Sequence, residues 1–445
     1  KAKDPQITRS YTWRFHDQDA LVTSAQQLTQ ILLRQRGVTT KQEPEFFTPN
    51  YEHSLHDPVL LRGMEAAVAR IDHALSAKQR MAIYGDYDID GITATALLCD
   101  VLSQLGAQVE PYIPDRFEEG YGLNIEALKK LKDSGVDLVI SVDCGITAAN
   151  EVAQAKDFGL DLIVTDHHTV PEVIPDAAVA CINPRLPYDS YPYKDLAGVG
   201  VAFKLASALA RTHPDTIKPG HEKWLMDLVA LGTVCDVVPL VGENRALVQF
   251  GLTVLRKSPR KGIKALAEVS GSELGSVTAS DLGFRLGPRL NAAGRLEHAS
   301  KALELLMTTD TTRAKELADM LNTLNRERQD DTLRVFAEAM SQAEQYPDDK
   351  ILVLSDPSWS HGIVGLVASR VSEATHKPTI ILQELDDKTK GSARSVGTFN
   401  IIEAITASGE LLERFGGHAF AAGMTLKTSA IAPFRAHINQ YAHKH

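Results

Sequence analysis

The sequence lacks any apolar run near the ~18–20 residues that a bilayer span requires. Its opening stretch, KAKDPQITRSYTWRF, holds no apolar core of the kind found in a secretory leader. Cysteine is scarce: Cys99, Cys144, Cys181 and Cys235 are scattered, with no Cys-x-x-Cys pair. That spacing excludes a disulfide framework and a structural zinc site, and the four read as small buried fillers. Positive charge is not in excess, since 47 Lys and Arg face 57 Asp and Glu for a formal net charge of −10. A protein that coats duplex nucleic acid through bulk charge is disfavoured, whereas a local basic groove beside an acidic centre is compatible with this balance. These absences lead to the expectation of a cytoplasmic protein without a membrane segment. The chain does not begin with Met, so the expectation is that its front is trimmed.

A content of 44% hydrophobic and 23% charged residues in a chain of 445 supports two or three globular units. Residues 1–80 read as a helical lead-in, with apolar residues at helical spacing in Leu28–Arg36 and Leu60–Leu75. From 81 to 305 short apolar runs alternate with helical stretches: MAIYG, TATALLCDVLSQL, VEPYIP, IEALKKLKDSG, DLVISV, AANEVAQAKDFG, LDLIVT. Such alternation predicts a parallel sheet covered by helices on both faces. Residues 306–346 predict a long helix capped by Asp310 or Thr311, with an apolar stripe through Leu317, Leu321, Leu324 and Val335, ending before Tyr346. A second αβ pattern, 347–445, runs through KILVLSD, HGIVGLVASRVSEAT, PTIILQE, KGSARSV and AAGMTL. The predicted class is therefore α/β: a parallel-sheet domain and a smaller mixed domain joined by a long helix.

Successive strands of the first pattern end in metal-type ligands. MAIYG runs into Asp86, Asp88 and Asp90; DLVISV into Asp143; LDLIVT into Asp166, His167 and His168. Strands of a parallel sheet share one C-terminal edge, and ligands bind there. One Asp after a strand is commonly a turn or cap residue, and a lone His is more often structural than a ligand. Three such strand ends in succession, one carrying Asp-His-His, are not explained that way. So many acids on one rim repel one another unless cations sit among them, and the Asp/His mixture suits manganese or magnesium, two ions, better than zinc. Asp143, central among the strand ends, is the candidate to bridge the ions. Asp86 and Asp88 are each expected to hold one, as is His167, with His168 just outside, contacting phosphate or orienting a ligand. Asp90, followed by Gly91 at a helix start, is open between a cap and a member of the catalytic set.

The triplet Asp166-His167-His168 is the signature of the DHH phosphoesterases, which this chain resembles. Tyr84–Leu98 (YGDYDIDGITATALL), Ser141–Ile146 and Val164–His168 look like the first three motifs of that family, and Gly232–Leu240 (GTVCDVVPL) like the fourth. The last match nominates Asp236 as a further metal ligand. Asn183–Arg185, Gly198–Leu205 and Gly283–Leu296 are similar to segments of the RecJ-type exonucleases within the family. Ser360–Arg370, Gly391–Ser395 and Gly416–Gly423 resemble the nucleic-acid-binding DHHA1 module. The matches run from about 55 to 426. The resemblance implies a DHH domain and a DHHA1 domain joined by a long helix, with the active site between them. It also implies 5′-to-3′ exonuclease action on single-stranded DNA with Mn2+ or Mg2+, in DNA repair and recombination. The OB-fold and further C-terminal region of full-length relatives are not matched, so a catalytic core is expected. The resemblance further implies single-strand-binding protein and a RecQ-type helicase as partners, and a monomer. One variation stands out: Tyr84 occupies a position where some relatives place a histidine.

An exonuclease on such a strand needs donors that grip phosphate without reading bases. The candidates are Arg289, Asn291 and Arg295 in GPRLNAAGRL, and Ser392 and Arg394 in GSARS. Arg116 is expected to overhang the sheet edge and, with Ser392 and Arg394, to take a terminal 5′-phosphate. His361 and His418, read as residues of Gly-flanked loops, are expected to face the scissile or adjacent phosphate. Two rival readings are a DHH phosphatase of short oligonucleotides or nucleotides and a non-catalytic replication scaffold. The first lacks the 198–205 and 283–296 segments, and the second loses metal ligands that are intact here.

Overall fold

The computed structural model describes residues 24–116 and 119–444. Within the lead-in, helices span Ala25–Gln35, Glu43–Phe47 and Met64–Ser76, and the first 23 positions lie outside the described residues.

The first αβ unit is built on five parallel strands: β1 (Arg80–Gly85), β2 (Gln108–Tyr112), β3 (Val136–Val142), β4 (Asp161–Thr165) and β5 (Ala180–Ile182), in the order β2-β1-β3-β4-β5. The two-residue side-chain period divides β1 between two cores. Met81 and Ile83 pack with helices 64–76, 89–104, 198–212 and 226–235, while Ala82 and Tyr84 pack with helices 125–133 and 149–157. Both faces of the sheet are thereby covered, as near-continuous apolar strands require. The order β2-β1-β3 makes the gap between β1 and β3 the point where connections leave in opposite directions, so a crevice opens at their C-terminal ends. The short edge strand β5 was not anticipated from the sequence, because three residues carry no usable periodicity.

The second unit holds a mixed sheet of β6 (Leu352–Asp356), β7 (Thr379–Glu384), β8 (Lys388–Arg394), β9 (Arg414–His418) and β10 (Ala421–Lys427), ordered β6-β7-β8-β10-β9. Only β6 and β7 pair in parallel. Between the units runs a helix of 33 residues, Thr311–Ala343, whose cap is Asp310: its carboxylate accepts from the N–H groups of Thr312 and Arg313. Its apolar stripe changes allegiance halfway. Ala314, Leu317 and Leu321 belong to the core of the first unit, Val335 and Ala339 to that of the second. Among the described residues no helix is long and apolar enough to cross a membrane.

Candidate metal centre

The crevice above β1 and β3 collects the acids. After β1 the chain turns straight into the helix Ile89–Gln104, and Asp88 is its cap, accepting from the N–H groups of Asp90 and Gly91. The cap is thus Asp88, expected as a metal ligand, and not Asp90. Asp90 instead accepts from the N–H groups of Gly198 (2.6 Å) and Val199 (2.8 Å), capping a helix more than a hundred residues away. The tight turn needs Gly91, because a Cβ there would lie 2.5 Å from the Asp86 amide nitrogen.

At the end of β3, Asp143 adopts the left-handed conformation with φ of 60°, one of four non-glycine residues with positive φ among those described. Asp tolerates this region better than most residues. Gly198 is obligatory opposite it, since a Cβ would approach the Asp143 side chain to 2.6 Å. At the end of β4, Asp166 turns away from the other acids and acts as a brace. Its carboxylate accepts from the N–H groups of Ile146 and His167 and sits 2.8 Å from Nδ1 of His168. Asp236, the fourth-motif residue, lies just past the helix Met226–Cys235, and Val237 behind it also has positive φ, at 63°.

Ligand atoms converge in three groups, each within 4.8 Å: Asp86, Asp88 and Asp143; Asp90, His167 and Asp236; and Asp143, His167 and His168. Asp143 and His167 each belong to two groups, so the set divides into two adjoining donor clusters with Asp143 between them. Nε2 of His167 is 3.1 Å from Asp143, 3.7 Å from Asp236 and 3.8 Å from Asp90. Buried polar atoms are normally hydrogen-bonded. Here Oδ1 of Asp86, Oδ1 of Asp143, Oδ2 of Asp236 and Nε2 of His167 are buried without a hydrogen bond. Four unsatisfied acceptors facing one crevice fit divalent cations, and their oxygen-rich chemistry fits hard ones.

The electrostatics carry the same message. Asp143 is held well above the usual carboxylate range by burial and then by the charges of Asp90, Asp88, Asp86 and Asp236. Asp86 is also raised, by burial and Asp88, while Asp90 is pushed up to about 7 and Asp236 to about 9. Burial lowers His167 to about 4, with the neighbouring His168 adding to the effect. His168 goes the other way, to about 9: burial opposes its charge, but the hydrogen bond and charge of Asp166 outweigh burial. A neutral imidazole therefore sits among the donors with an imidazolium beside it, as a ligand and an outer proton donor would.

Tyr84 is fully buried on β1, its hydroxyl donating to the Gly122 carbonyl and its ring lying against Tyr112. It fills the core and is not part of any of the three donor groups. Tyr121 went unnoticed in the sequence. Its hydroxyl lies 3.3 Å from the ring of His168 and its ring is edge-on to Tyr87, whose face carries the Arg116 guanidinium at 5.0 Å. A single tyrosine in EGYG gives no periodic signal.

Opposite this rim, a cavity of about 360 Å³ separates the two units and is lined by Arg116, Tyr121, His361, Lys390, Ser392 and Arg414. Lys390, Ser392 and Arg394 alternate along β8, so they share one face of the strand. Arg394 packs over Gly365, where a Cβ would lie 3.1 Å from its guanidinium. Arg295, at the end of the helix Gly287–Leu296, reaches across to donate to the Gly362 carbonyl, so it joins the two units. Arg289 and the half-buried Asn291 lie on that same helix, and Arg289 donates to Asn322 and to the Arg285 carbonyl. His361 opens a helix rather than sitting in a loop, and burial followed by Arg116 and Lys390 lowers it to about 4. His418 ends the edge strand β9, is exposed, and meets Phe420. The structure thus brings Arg116, Ser392 and His361 to one cavity, whereas among the described residues no contact draws His418 there.

Comparison with known proteins agrees with this arrangement. Residues 80–233 match the model of the DHH family, N-terminal domain, and residues 348–444 that of the DHHA1 domain. The single-stranded-DNA-specific exonuclease RecJ of Bacillus subtilis (strain 168) is 42% identical over 434 residues, covering 96% of this chain and 54% of that protein. RecJ of Dickeya dadantii (strain 3937) is 40% identical over 423 residues, covering 91% of this chain and 73% of that protein. A crystal structure of exonuclease RecJ bound to manganese superposes with a TM-score of 0.77 at 38% identity, covering 86% of this chain and 95% of that one. The chain spans little more than half of the Bacillus subtilis protein, yet the match runs through both units and every strand end that carries the acids. With both domain models in order and such identity across most of its length, the chain belongs to the RecJ family of DHH–DHHA1 proteins.

Proposed function

We propose that this chain is a metal-dependent exonuclease that hydrolyses phosphodiester bonds of single-stranded DNA from the 5′ end. The observation that carries the reading is the set of overlapping donor groups, two of them linked through Asp143 and His167 of the third, with unsatisfied acceptors turned into the crevice. The two curated relatives named above are single-stranded-DNA-specific exonucleases, and the superposed crystal structure is of exonuclease RecJ bound to manganese, which supports the same conclusion.

Asp86, Asp88 and Asp143 would hold one Mn2+ or Mg2+ ion, and Asp90, His167 and Asp236 the other. Two such ions supply an activated water at neutral pH and charge neutralisation for in-line displacement at phosphorus. The protein's own contribution is positioning. Asp166 fixes the His168 ring and keeps it protonated, so His168 can donate to a phosphate oxygen or the leaving oxygen. Arg116, Ser392 and Arg394 would grip the terminal 5′-phosphate across the cleft, and Arg289, Asn291 and Arg295 the following backbone. His361, neutral at pH 7, can accept or donate a hydrogen bond there without adding charge, while His418 lies farther along the second unit's edge.

A role in DNA repair and recombination, a cytoplasmic setting, a monomeric state and contacts with single-strand-binding protein and a RecQ-type helicase accompany the reading. The decisive experiment digests single- and double-stranded DNA labelled at either end, with Mn2+, Mg2+ or chelator. Release of mononucleotides from the 5′ end of single strands only, abolished by chelator, is expected. Digestion confined to dinucleotides would favour a short-oligonucleotide phosphatase, and inertness with both metals would favour a scaffold.

A further inference from the structure

Beside the metal centre the backbone leaves its regular path twice. Val237, next to Asp236, holds a positive φ although it is β-branched, and its side chain is 84% exposed. Against Val234 and Cys235, just before it, residues Leu282–Leu286 form a widened π-type turn that runs directly into the helix Gly287–Leu296. The sequence explains the turn. Pro288 has no N–H to give the Phe284 carbonyl and its ring presses against that carbonyl, so a regular α-turn cannot continue through 284–288. The result is that Phe284 points outward, 82% exposed, in a segment whose neighbours Leu282 and Leu286 are buried.

This segment is seated on the metal-binding loops. Sγ of Cys235 contacts the Leu282 carbonyl at 3.6 Å, and Gly287 is so close to Cys235 that a Cβ would lie 2.6 Å from its sulfur. The helix that follows runs past the first acid loop: Gly287 abuts Ile89 and Gly294 abuts the Tyr87 carbonyl. Its far end, Arg295, enters the cleft between the units. Phe284 and the cleft therefore lie at opposite ends of a ten-residue helix, about 15 Å long, with the acids alongside.

Around Phe284 the charge is positive. Arg285 is exposed and pairs with Asp281 at 3.4 Å, a surface pair that constrains it little. Arg289 stacks one turn further on, bonded to Asn322 of the long helix, and Arg326 stands exposed one turn beyond Asn322. Arg326 makes no ion pair among the described residues. Burial and the charges of Arg326 and Arg285 all lower the pKa of Arg289, so the three cations are near neighbours and repel one another. A lone exposed apolar residue needs no explanation. An aromatic side chain thrust out by a proline-forced turn, followed by a group of three neighbouring arginines and joined to a metal-binding loop, has the features of a surface that holds a single strand by stacking and phosphate contact.

We propose that Phe284 is a stacking platform for a base on the 3′ side of the scissile phosphate, with Arg285, Arg289 and Arg326 holding the adjoining phosphates. The direction follows from the exonuclease reading, on which this proposal rests: a 5′ end in the Arg116 cleft leaves the rest of the strand to pass the acids and exit over Phe284.

The test measures binding of dodecathymidylate in the Asp143→Asn background, where the strand is not consumed. Phe284→Ala weakens binding on the order of tenfold, and Phe284→Leu weakens it similarly, because a base needs a planar partner. Phe284→Trp retains affinity, and its fluorescence is quenched on binding. Arg326→Gln lowers the slope of log affinity against log salt by about 0.7, the share of one phosphate contact on a single strand. Affinity of Phe284→Ala within twofold of its parent, or Phe284→Leu binding as well as its parent, overturns the platform. Digestion by the wild-type chain with unchanged Phe284→Ala affinity would sink this proposal alone. Quenching of Phe284→Trp in a chain that digests nothing would sink the exonuclease reading and leave the platform standing.

Discussion

Replacing Asp143 by asparagine separates what the acid cluster does for metal binding from what it does to the fold. Asn keeps the volume of Asp and is at ease at φ of 60°, whereas Ala would add roughly 1–2 kcal/mol of left-handed backbone strain unrelated to metal. The wild-type carboxylate lies among four others, and burial with their charges makes its ionisation unfavourable. A cation binding only the folded state stabilises it by about 2.7 kcal/mol when present at one hundred times its Kd. For a domain of this size that is roughly 5–11 °C in the melting temperature of the first unit. Differential scanning fluorimetry with chelator and then with saturating Mn2+ reads both effects. Asp143→Asn should melt higher than the wild type in chelator, because one mutually repelling acid is gone. It should lose most of the Mn2+-induced rise, because the Asp86–Asp88 cluster loses a ligand and the link through His167 to the other cluster is weakened. Removing charge stabilisation worth about 4 kcal/mol at the transition state lowers kcat by about a thousandfold. A variant that keeps the full Mn2+ shift and more than a tenth of the activity would show that Asp143 does not lie between two ions.

Metal-free protein should lose stability as pH rises. Asp90 and Asp236 are raised to about 7 and about 9 from 3.8, so the native state binds more protons than the unfolded one above pH ~4, and melting in chelator should fall progressively up to about pH 9. Saturating Mn2+ should flatten that slope, and an unchanged slope would contradict cation binding at these acids. Arg116→Ala should abolish any preference for a 5′-phosphorylated over a 5′-hydroxyl strand, and a preserved preference in competition digests rejects its assignment to the terminal phosphate. Lys204 and Glu243 form a buried ion pair to which His56 and Tyr191 also bond, and neither belongs to a donor group. Lys204→Ala should destabilise the chain by about 3–5 kcal/mol while leaving the Mn2+-induced melting shift intact; a loss under 1 kcal/mol in urea melts would refute the pair's structural role.

Local pattern revealed what local pattern can encode. Strand β1 and the acids after it were legible because apolar residues at period two stop abruptly at a polar turn, and parallel strands must present such turns on one edge. The long helix was legible from its stripe and its Asp310 cap. Asp236 was not legible from pattern, since it follows a helix whose residues are buried on nearly every side and so show no amphipathic face to locate it against. Asp90 was ambiguous for a related reason: its partners Gly198 and Val199 are 108 and 109 positions away, and spacing within a loop cannot report them. His418 sits on an edge strand that GGH disguises as a loop, because glycines erase the alternation by which strands are recognised.

The long-range contacts also tie the segment after the DHH triplet to the donor groups. Three of the constraints on the acids come from helices that a scan of strand ends would treat as scaffold. The amides of Gly198 and Val199 hold Asp90, the missing Cβ of Gly198 gives Asp143 its room, and the helix Met226–Cys235 delivers Asp236. Gly232 in that same helix is close-packed against Thr93 and Asp90, where a Cβ would come within 2.4 Å of the threonine oxygen. The β1 and β3 turns alone would leave Asp86, Asp88 and Asp143 around one cluster. It is the helical layer behind them that adds Asp236 and positions Asp90 to complete the second, so a two-ion centre depends on this packing as much as on the strand ends.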